Sequence, residues 1–249
     1  MVKLDTITRF LRKDLMINSI DDYSVNGTQV KGKNEVKRIA FGVDACMDLF
    51  KKARQKNCDM IIVHHGIRWK GKNDDVAIKK ERIKFLRKHG LTLFAAHLPL
   101  DMHPGYGHNI VIANDIGIKN IKPFGLYKKR MIGYYGDLRL SLKELVNRVN
   151  TTLNTVSVVH NFGGKKTRKV GVISGSGSFA VHECAKRNID TFVTGELSHA
   201  SYHYEKENRL NVVFAGHYKS EVVGVKKIAE ILKEKFNIET VFFDIPTDI

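Results

Sequence analysis

The chain has 249 residues, with 42 lysines and arginines against 26 aspartates and glutamates and a formal net charge of +16. Its three scattered cysteines form no CxxC pair, which argues against a disulfide-stabilised secreted scaffold and favours a cytoplasmic location. No segment approaches the roughly 18 uninterrupted apolar residues of a membrane helix, so we expect no membrane association. The excess positive charge predicts attraction to polyanions, with nucleic acid as the first candidate partner.

The first half of the chain alternates apolar, strand-like runs with helical patterns. VKRIAFGVD precedes the helical CMDLFKKARQK, CDMIIVHH is followed by a loop and KKERIKFLRKHG, and LTLFAAH comes next. NIVIANDIGI has the pattern of a further helix. Such alternation is typical of strand–helix–strand units, whose strands run parallel. The sequence therefore predicts an α/β fold with three layers, α/β/α, and largely parallel sheets.

A turn signal in IKPFGLYKKR predicts a boundary between two lobes near residue 125. After it come SLKELVNRVN, in which Ser141 and Glu144 have the spacing of a capping box, and the strands TVSVVH and KVGVIS. Strands and helices then alternate again. We predict an amino-terminal α/β lobe over residues 1–125 and a carboxyl-terminal α/β lobe over residues 126–249. The final segment, about 211–249, could return to the first lobe.

Adjacent histidines, His64 and His65, end the apolar run CDMIIVHHG. Neighbouring side chains of an ideal strand point to opposite faces, so both imidazoles can face one site only where the strand ends and turns. Ligands of open α/β sheets collect beyond the carboxyl ends of the strands. We therefore predict both histidines as metal ligands, the alternative being a hydrogen-bonded structural pair.

Two further strand ends supply three more candidate ligands. His217 and Glu221 are four residues apart at the predicted start of a helix, so their side chains share one face and can bind one ion. Asp101 follows the strand LTLFAAH, and its carboxylate has two oxygens that can bridge two cations. Three histidines and two carboxylates that share two ions leave positions for water, whereas a closed structural zinc site uses four ligands per ion. The alternatives are a histidine at a helix terminus and solvated carboxylates.

Other residues near these strand ends are candidates for catalysis or substrate binding. His97 either completes the ligand set or orients Asp101 or another imidazole, and we favour the orienting role. Glu196 in TGE is the candidate general base or hydrogen-bond partner of a bound water. The turn in ISGSGSFAVHE either serves only the backbone or offers amide groups to an anion such as a phosphate, from Gly175, Ser176, Gly177 and Ser178.

Six separated motifs occur in a distinctive order: NGTQV, VHHG, AAHLPLD with GYGHN, VGVISGSGS, TGELSH and GHYKSEVVG. In this order they resemble the NIF-three-like family of dinuclear metal proteins, the GTP cyclohydrolase I type 2 homologues. The resemblance implies a two-lobed α/β fold, two divalent metal ions per subunit between the lobes, and a ring-shaped homohexamer. His97 and Glu196 match positions that line the cleft. The ligands that it implies are His64, His65, Asp101, His217 and Glu221.

Two functional hypotheses differ in what the metals do. In the first, a metal-dependent hydrolase acts on a nucleotide or another phosphorylated small molecule, in the manner of a GTP cyclohydrolase, and two ions activate water. In the second, the metals are structural or regulatory, and a nucleic-acid-binding ring or scaffold uses the positive surface. Mixed imidazole and carboxylate ligands suit zinc, iron, manganese, cobalt or nickel. We favour the hydrolase.

Overall fold

The computed structural model of the chain describes residues 1–71 and 76–247. Within that part of the chain the strands are β1 (Val2–Lys3), β2 (Gly27–Val30), β3 (Glu35–Val36), β4 (Arg38–Asp44), β5 (Met60–His65), β6 (Thr92–Ala95), β7 (Lys119–Tyr127), β8 (Arg130–Asp137), β9 (Val158–Asn161), β10 (Lys169–Ile173), β11 (Thr191–Thr194), β12 (Asn211–Phe214) and β13 (Glu239–Phe242). The helices there are α1 (Leu4–Asp14), α2 (Met47–Gln55), α3 (Val76–Lys88), α4 (Leu98–Asp101), α5 (His108–Asp115), α6 (Leu142–Leu153), α7 (Val181–Lys186), α8 (Tyr202–Glu207) and α9 (His217–Phe236).

The chain divides into two compact units. The first comprises Met1–Leu100 and Val225–Ile245, and the second comprises Asp101–Gly224 and Pro246–Ile249. Helix α9 therefore begins in the second unit and ends in the first.

The first unit contains a five-stranded sheet with the order β13-β4-β5-β6-β2. Its strands β13, β4, β5 and β6 are parallel, and β2 pairs antiparallel with β6 at one edge. Nearly every residue of β4, β5 and β6 is buried, as expected for the continuous apolar runs of a parallel sheet. Leu49 and Phe50 of α2 pack in the same apolar cluster as Ile61 and Val63 of β5.

The second unit contains a six-stranded sheet with the order β7-β8-β10-β11-β12-β9. Its centre, β10-β11-β12, is parallel, whereas β7, β8 and β9 pair antiparallel. Helices α5 and α6 contribute Ile112, Ala113, Leu145 and Val149 to an apolar cluster with this sheet. The α/β class predicted from the sequence is confirmed. The parallel arrangement holds for most of the first sheet, but the second sheet is mixed.

The division between the units falls between Leu100 and Asp101, not near residue 125. The turn signal on which the expected boundary rested lies instead inside a hairpin of the second sheet. Strands β7 and β8 are joined by Lys128 and Lys129, and both residues have positive φ. The segment that returns to the first unit is Val225–Ile245, so it is shorter than the expected 211–249.

The strand ends lie where the sequence pattern puts them. Strand β5 ends at His65, and β6 ends two residues before His97. In the second unit β11 ends at Thr194, two residues before Glu196, and β12 is followed by α9, which begins at His217. Each unit therefore carries candidate functional side chains at the carboxyl ends of parallel strands, where α/β sheets bind ligands. Across the described residues, no helix combines the length and the apolar character needed to cross a bilayer.

Candidate metal centre

Three histidines of the first unit form a cluster at the ends of β5 and β6. One ligand nitrogen from each of His64, His65 and His97 lies within 4.8 Å of the others. The ring centroids of His64 and His65 are 4.5 Å apart, and those of His64 and His97 are 5.0 Å apart. His64 is fully buried. This spacing lets the three side chains contact a single cation.

Each ring of this cluster is oriented by a hydrogen bond at Nδ1. His64 Nδ1 lies 2.9 Å from the carbonyl oxygen of Ala96, and His65 Nδ1 lies 2.9 Å from Oδ1 of Asp44. His97 Nδ1 lies 2.9 Å from Oδ1 of Asp22. Because all three partners are acceptors, each Nδ1 carries the proton in the neutral ring, and the lone pair is at Nε2. Metal-binding histidines show this arrangement, in which a carboxylate or carbonyl fixes the tautomer and raises the basicity of the ligand nitrogen.

Asp22 organises the loop that holds His97. The carboxylate is 1% exposed and accepts hydrogen bonds from Asn26 Nδ2 at 2.8 Å and from the backbone amides of Ser24 and Leu98 at 3.0 Å, besides His97. Burial alone would raise the pKa of Asp22. The hydrogen bond and charge of His97, with those from Asn26 and Ser24, outweigh burial and lower the pKa to about 2. Asp22 is therefore a carboxylate at neutral pH.

In the second unit, His217 and Glu221 lie one turn apart on the first turns of α9, as predicted. His217 Nε2 is 3.1 Å from Oε1 of Glu221, and His217 Nδ1 is 2.5 Å from Oε1 of Glu196. Burial lowers the pKa of His217, but Glu221 and Glu196 outweigh burial and raise it to about 9. A divalent cation between His217 and Glu221 would take the place of a proton, so its binding releases that proton.

Glu196 contacts two polar side chains of the second unit. Its Oε2 accepts a hydrogen bond from Ser176 Oγ at 2.5 Å, and its Oε1 accepts a hydrogen bond from Nδ1 of His217. Burial raises the pKa of Glu196, but these hydrogen bonds and the charge of His217 outweigh burial and lower it. Glu196 thus has the position of a carboxylate that orients a metal-binding histidine. Its predicted role as a general base stays a prediction.

Gly175 brings the backbone close to His217 and Glu221. Its φ is +59°, and a Cβ atom built on it would lie 2.3 Å from Oε1 of Glu221 and 3.2 Å from Nε2 of His217. Any side chain here would push the carboxylate away, so the position requires glycine for both its backbone conformation and its neighbours. The small-residue turn therefore serves the His217–Glu221 pair directly.

The same turn was predicted to offer amide groups to an anion. The amide of Gly175 donates to Ser220 Oγ at 3.0 Å, and the amide of Gly177 donates to Thr194 Oγ1 at 3.1 Å. These two amides are therefore engaged within the chain. Anion binding at the turn, including any contact with Ser176 or Ser178, stays a prediction.

Asp101 is buried in the second unit beside a histidine that sequence analysis missed. Ser174 Oγ donates to Oδ1 of Asp101 at 3.1 Å, and one ring nitrogen of His108 lies within 4.8 Å of an Asp101 carboxylate oxygen. His108 accepts a hydrogen bond at Nδ1 from the amide of Gly224, so its neutral ring carries the proton at Nε2. In this tautomer His108 presents an N–H group, and not a lone pair, at Nε2. Its place in GYGHN was a signal that sequence reasoning did not use.

Within each unit, then, the predicted side chains come together. His64 and His65 cluster with His97 in the first unit. His217, Glu221 and Glu196 form a hydrogen-bonded group in the second. That the five predicted ligands belong to one dinuclear centre stays a prediction.

A cavity of about 680 Å³ in the second unit opens beside Glu196. Val158 and Leu197, both exposed, form part of its apolar wall, and Tyr218 and Lys219 of α9 also line it. Its volume is within the range of small-molecule sites. It adjoins the His217–Glu196 pair because Glu196 belongs to both.

These features define an α/β protein with clustered imidazole and carboxylate groups that could hold a metal ion. The sequence profile of the Duf34/NIF3 (NGG1p interacting factor 3) family matches residues 2–249. The chain therefore belongs to the Duf34/NIF3 family, as the order of its motifs implied.

Similar proteins cover the whole chain. A relative from Archaeoglobus fulgidus, named GTP cyclohydrolase 1 type 2 homolog, is 44% identical over 248 residues and covers 100% of both chains. A relative of the same name from Pyrococcus abyssi is 40% identical, over 98% of this chain and 99% of its own. The crystal structure of TTHA1606 from Thermus thermophilus has a TM-score of 0.90 at 34% identity, with 100% of both chains covered.

Proposed function

We propose that the protein is a dinuclear metal-dependent hydrolase that acts on a nucleotide or another phosphorylated small molecule. In this proposal two divalent ions are held by His64, His65, Asp101, His217 and Glu221. When bound, such ions supply Lewis acidity, which lowers the pKa of water and polarises a phosphoryl group or a ring carbon. The relatives' name, GTP cyclohydrolase 1 type 2 homolog, is consistent with a nucleotide substrate.

The observation that carries the proposal is the shared orientation of the three clustered histidines. His64, His65 and His97 each direct Nδ1 to an acceptor, and one of these acceptors is the buried carboxylate of Asp22. A structural histidine pair needs no such common tautomer, whereas ligation through Nε2 does. The donor set of imidazoles and carboxylates suits zinc, iron, manganese, cobalt or nickel.

The chain's own residues have separate roles in this reaction. Glu196 orients His217 and, beside the 680 Å³ cavity, is placed to exchange a proton with substrate or water. His97 lies with His64 and His65, so it acts either as a further ligand or as a group that positions them. Lys219 gives the cavity a positive charge for an anionic substrate.

Elemental analysis of protein purified without added metal, then loaded separately with each of the five metals, tests the first part of the proposal. We expect two ions per chain. The loaded protein is then screened against nucleotides and phosphoesters, with substrate loss followed by chromatography. His64→Ala should weaken metal binding by at least about 100-fold, since even outer-shell partners of a metal site contribute about 10- to 100-fold.

His203→Ala is the matched control, because His203 is an exposed histidine on α8 outside both groups of candidate ligands. It should keep the metal content and any turnover. If the protein binds two ions and turns over no substrate in the screen, the hydrolase is contradicted and the second functional hypothesis gains support. If His64→Ala and His203→Ala keep the same metal content, the ligand assignment is wrong.

Assembly and location complete the proposal. A homohexamer rests on the family resemblance, and light scattering after size-exclusion chromatography tests it. A cytoplasmic location is supported by the three cysteines, which are all free. Nucleic-acid binding is a second candidate function, because one surface of the second unit has the charge that it requires.

A further inference from the structure

A groove in the second unit concentrates positive charge around the start of α6. Four exposed cationic side chains line it: Arg139, Lys165, Lys166 and Arg168. Its volume is about 960 Å³. Among the described residues, no carboxylate lies within 4 Å of any of these four charges; the acidic residue of the lining, Glu144, pairs instead with Arg148 at 3.0 Å. We call this surface the basic groove.

The backbone beneath the basic groove is held by hydrogen bonds between two extended segments. The amide of Thr167 donates to the carbonyl of Leu140 at 2.9 Å, and the amide of Leu142 donates to the carbonyl of Lys165 at 2.8 Å. The Thr167 hydroxyl is buried and donates to the carbonyl of Leu138 at 2.7 Å. The two segments therefore form a fixed platform rather than a flexible lysine-rich loop.

All four cations of the two segments are exposed, and they line the same groove. Thr167 points inward between Lys166 and Arg168, and Arg139 lies between two residues with buried or half-buried side chains. The amide of Leu138 donates to the carbonyl of Arg168, and the carbonyl of Leu140 accepts from the amide of Thr167. Arg139, between these two leucines, therefore lies beside the segment that contains Arg168. Like charges that lie side by side on adjacent extended segments repel one another. An anion bound in the groove would remove that repulsion.

We propose that the basic groove binds the phosphodiester backbone of a nucleic acid. The inference rests on the second candidate function and gives it a location. Guanidinium and ammonium groups recognise phosphate oxygens by charge and hydrogen bonding. A membrane surface fits less well, because Leu140 is the large apolar residue of the lining and it is half-buried. An acidic protein would match the same charge, so competition by polyglutamate distinguishes it from a nucleic acid.

Fluorescence anisotropy with a labelled single-stranded oligonucleotide of mixed sequence tests the proposal on the full chain. For single strands the slope of log affinity against log salt is about −0.7 per neutralised phosphate, so four contacts give about −2.8. Wild-type affinity should then fall about 50-fold between about 50 and 200 mM salt. The combined variant Arg139→Gln, Lys165→Gln, Lys166→Gln, Arg168→Gln should bind at least about 10-fold more weakly at the lower salt, with a slope close to zero.

The matched control removes the same charge elsewhere. Lys80, Lys84, Arg87 and Lys88 line one face of α3 in the first unit, and their combined change to glutamine also removes four cations. This control should change affinity by less than about threefold and keep the salt slope, because only contacts with phosphates release counterions. The charge-keeping variant Arg139→Lys, Arg168→Lys retains all four positive charges, so it should bind the oligonucleotide about as tightly as the wild type.

Three outcomes overturn the proposal. The first would be a wild type that does not bind the oligonucleotide at low salt. The second would be an α3 control that loses as much affinity as the groove variant. The third would be polyglutamate that competes as well as unlabelled oligonucleotide. Thermal unfolding checks that the groove variant is folded. If the groove variant is not folded, the proposal is judged on the charge-keeping variant and the α3 control. Neither variant touches a candidate metal ligand, so failure here leaves the metal content expected of the hydrolase unchanged.

Discussion

Asp22→Asn tests whether the carboxylate behind His97 supports a metal site. The substitution keeps the size and shape of the side chain but removes its charge. In the native protein both carboxylate oxygens accept hydrogen bonds, with His97 Nδ1 at 2.9 and 3.1 Å, Asn26 at 2.8 Å, and the amides of Ser24 and Leu98 at 3.0 Å. An amide oxygen can replace one carboxylate oxygen. The NH₂ group of the asparagine would replace the second carboxylate oxygen, and the N–H groups that donated to that oxygen would then have no acceptor.

The expected loss of stability follows from the pKa of Asp22. That pKa falls from 3.8 to about 2 on folding, and each pKa unit corresponds to about 1.4 kcal/mol, so the charged form contributes about 2 kcal/mol. Because the folded-state pKa is depressed, this contribution is complete above the unfolded value and is lost as the pH falls from about 4 to about 2. Metal affinity should fall about 10- to 100-fold, the usual cost of losing a carboxylate behind a ligating histidine.

Urea unfolding of the metal-free protein between pH 2 and 7, together with chelator competition for zinc, gives both quantities. Asp21→Asn is the control, because Asp21 is the neighbouring aspartate and its side chain is 72% exposed. We expect Asp22→Asn to be about 2 kcal/mol less stable than this control at pH 7, with the difference shrinking at low pH. If both variants bind zinc equally tightly and unfold at the same urea concentration, the reasoning about Asp22 is refuted.

Gly175→Ala and Glu183→Gln test the second unit, and Gly71→Ala in the first unit is the control for Gly175→Ala. Gly175→Ala and Gly71→Ala both place alanine at positive φ, which costs about 1–2 kcal/mol, but only the Gly175 Cβ meets Glu221, at 2.3 Å. Zinc affinity by chelator competition should therefore fall about tenfold or more in Gly175→Ala alone; equal affinities would contradict this. For Glu183, burial raises the pKa, but the Leu126 amide and Arg187 outweigh it and lower the pKa. Glu183→Gln should cost about 1–2 kcal/mol in urea unfolding at pH 7 and less below about pH 4, and a pH-independent cost would count against the ion pair.

The positions of most candidate ligands were predictable because these residues follow buried strands. The run ending at His65 is continuous and apolar, which sets both the strand and the place where it ends. The four-residue spacing of His217 and Glu221 predicted a shared helix face, and α9 begins at His217. These features depend on residues close together in sequence, where periodicity is informative.

The boundary between the units was not predictable in the same way. Two-residue hairpin loops with positive φ at both positions usually contain asparagine, aspartate or glycine. Here the loop is Lys128–Lys129, with φ values of 46° and 66°. The lysines gave no hairpin signal, so β7 was separated from the sheet to which it belongs. Tertiary pairing with β8 decides the conformation of this loop, and local propensity does not.

The acceptors behind the histidines were also out of reach of the sequence. His97 and Asp22 are 75 residues apart, and His65 and Asp44 are 21 apart. An aspartate in a polar loop has no periodic neighbour that would predict its burial, so Asp22 looks like a solvated turn residue until β6 and its loop are placed beside it. A ligand can be recognised from its strand, but the group that fixes its tautomer is recognised only from the fold. The Asp22→Asn measurement therefore tests the part of the proposed metal centre for which the structure, and not the sequence, is the evidence.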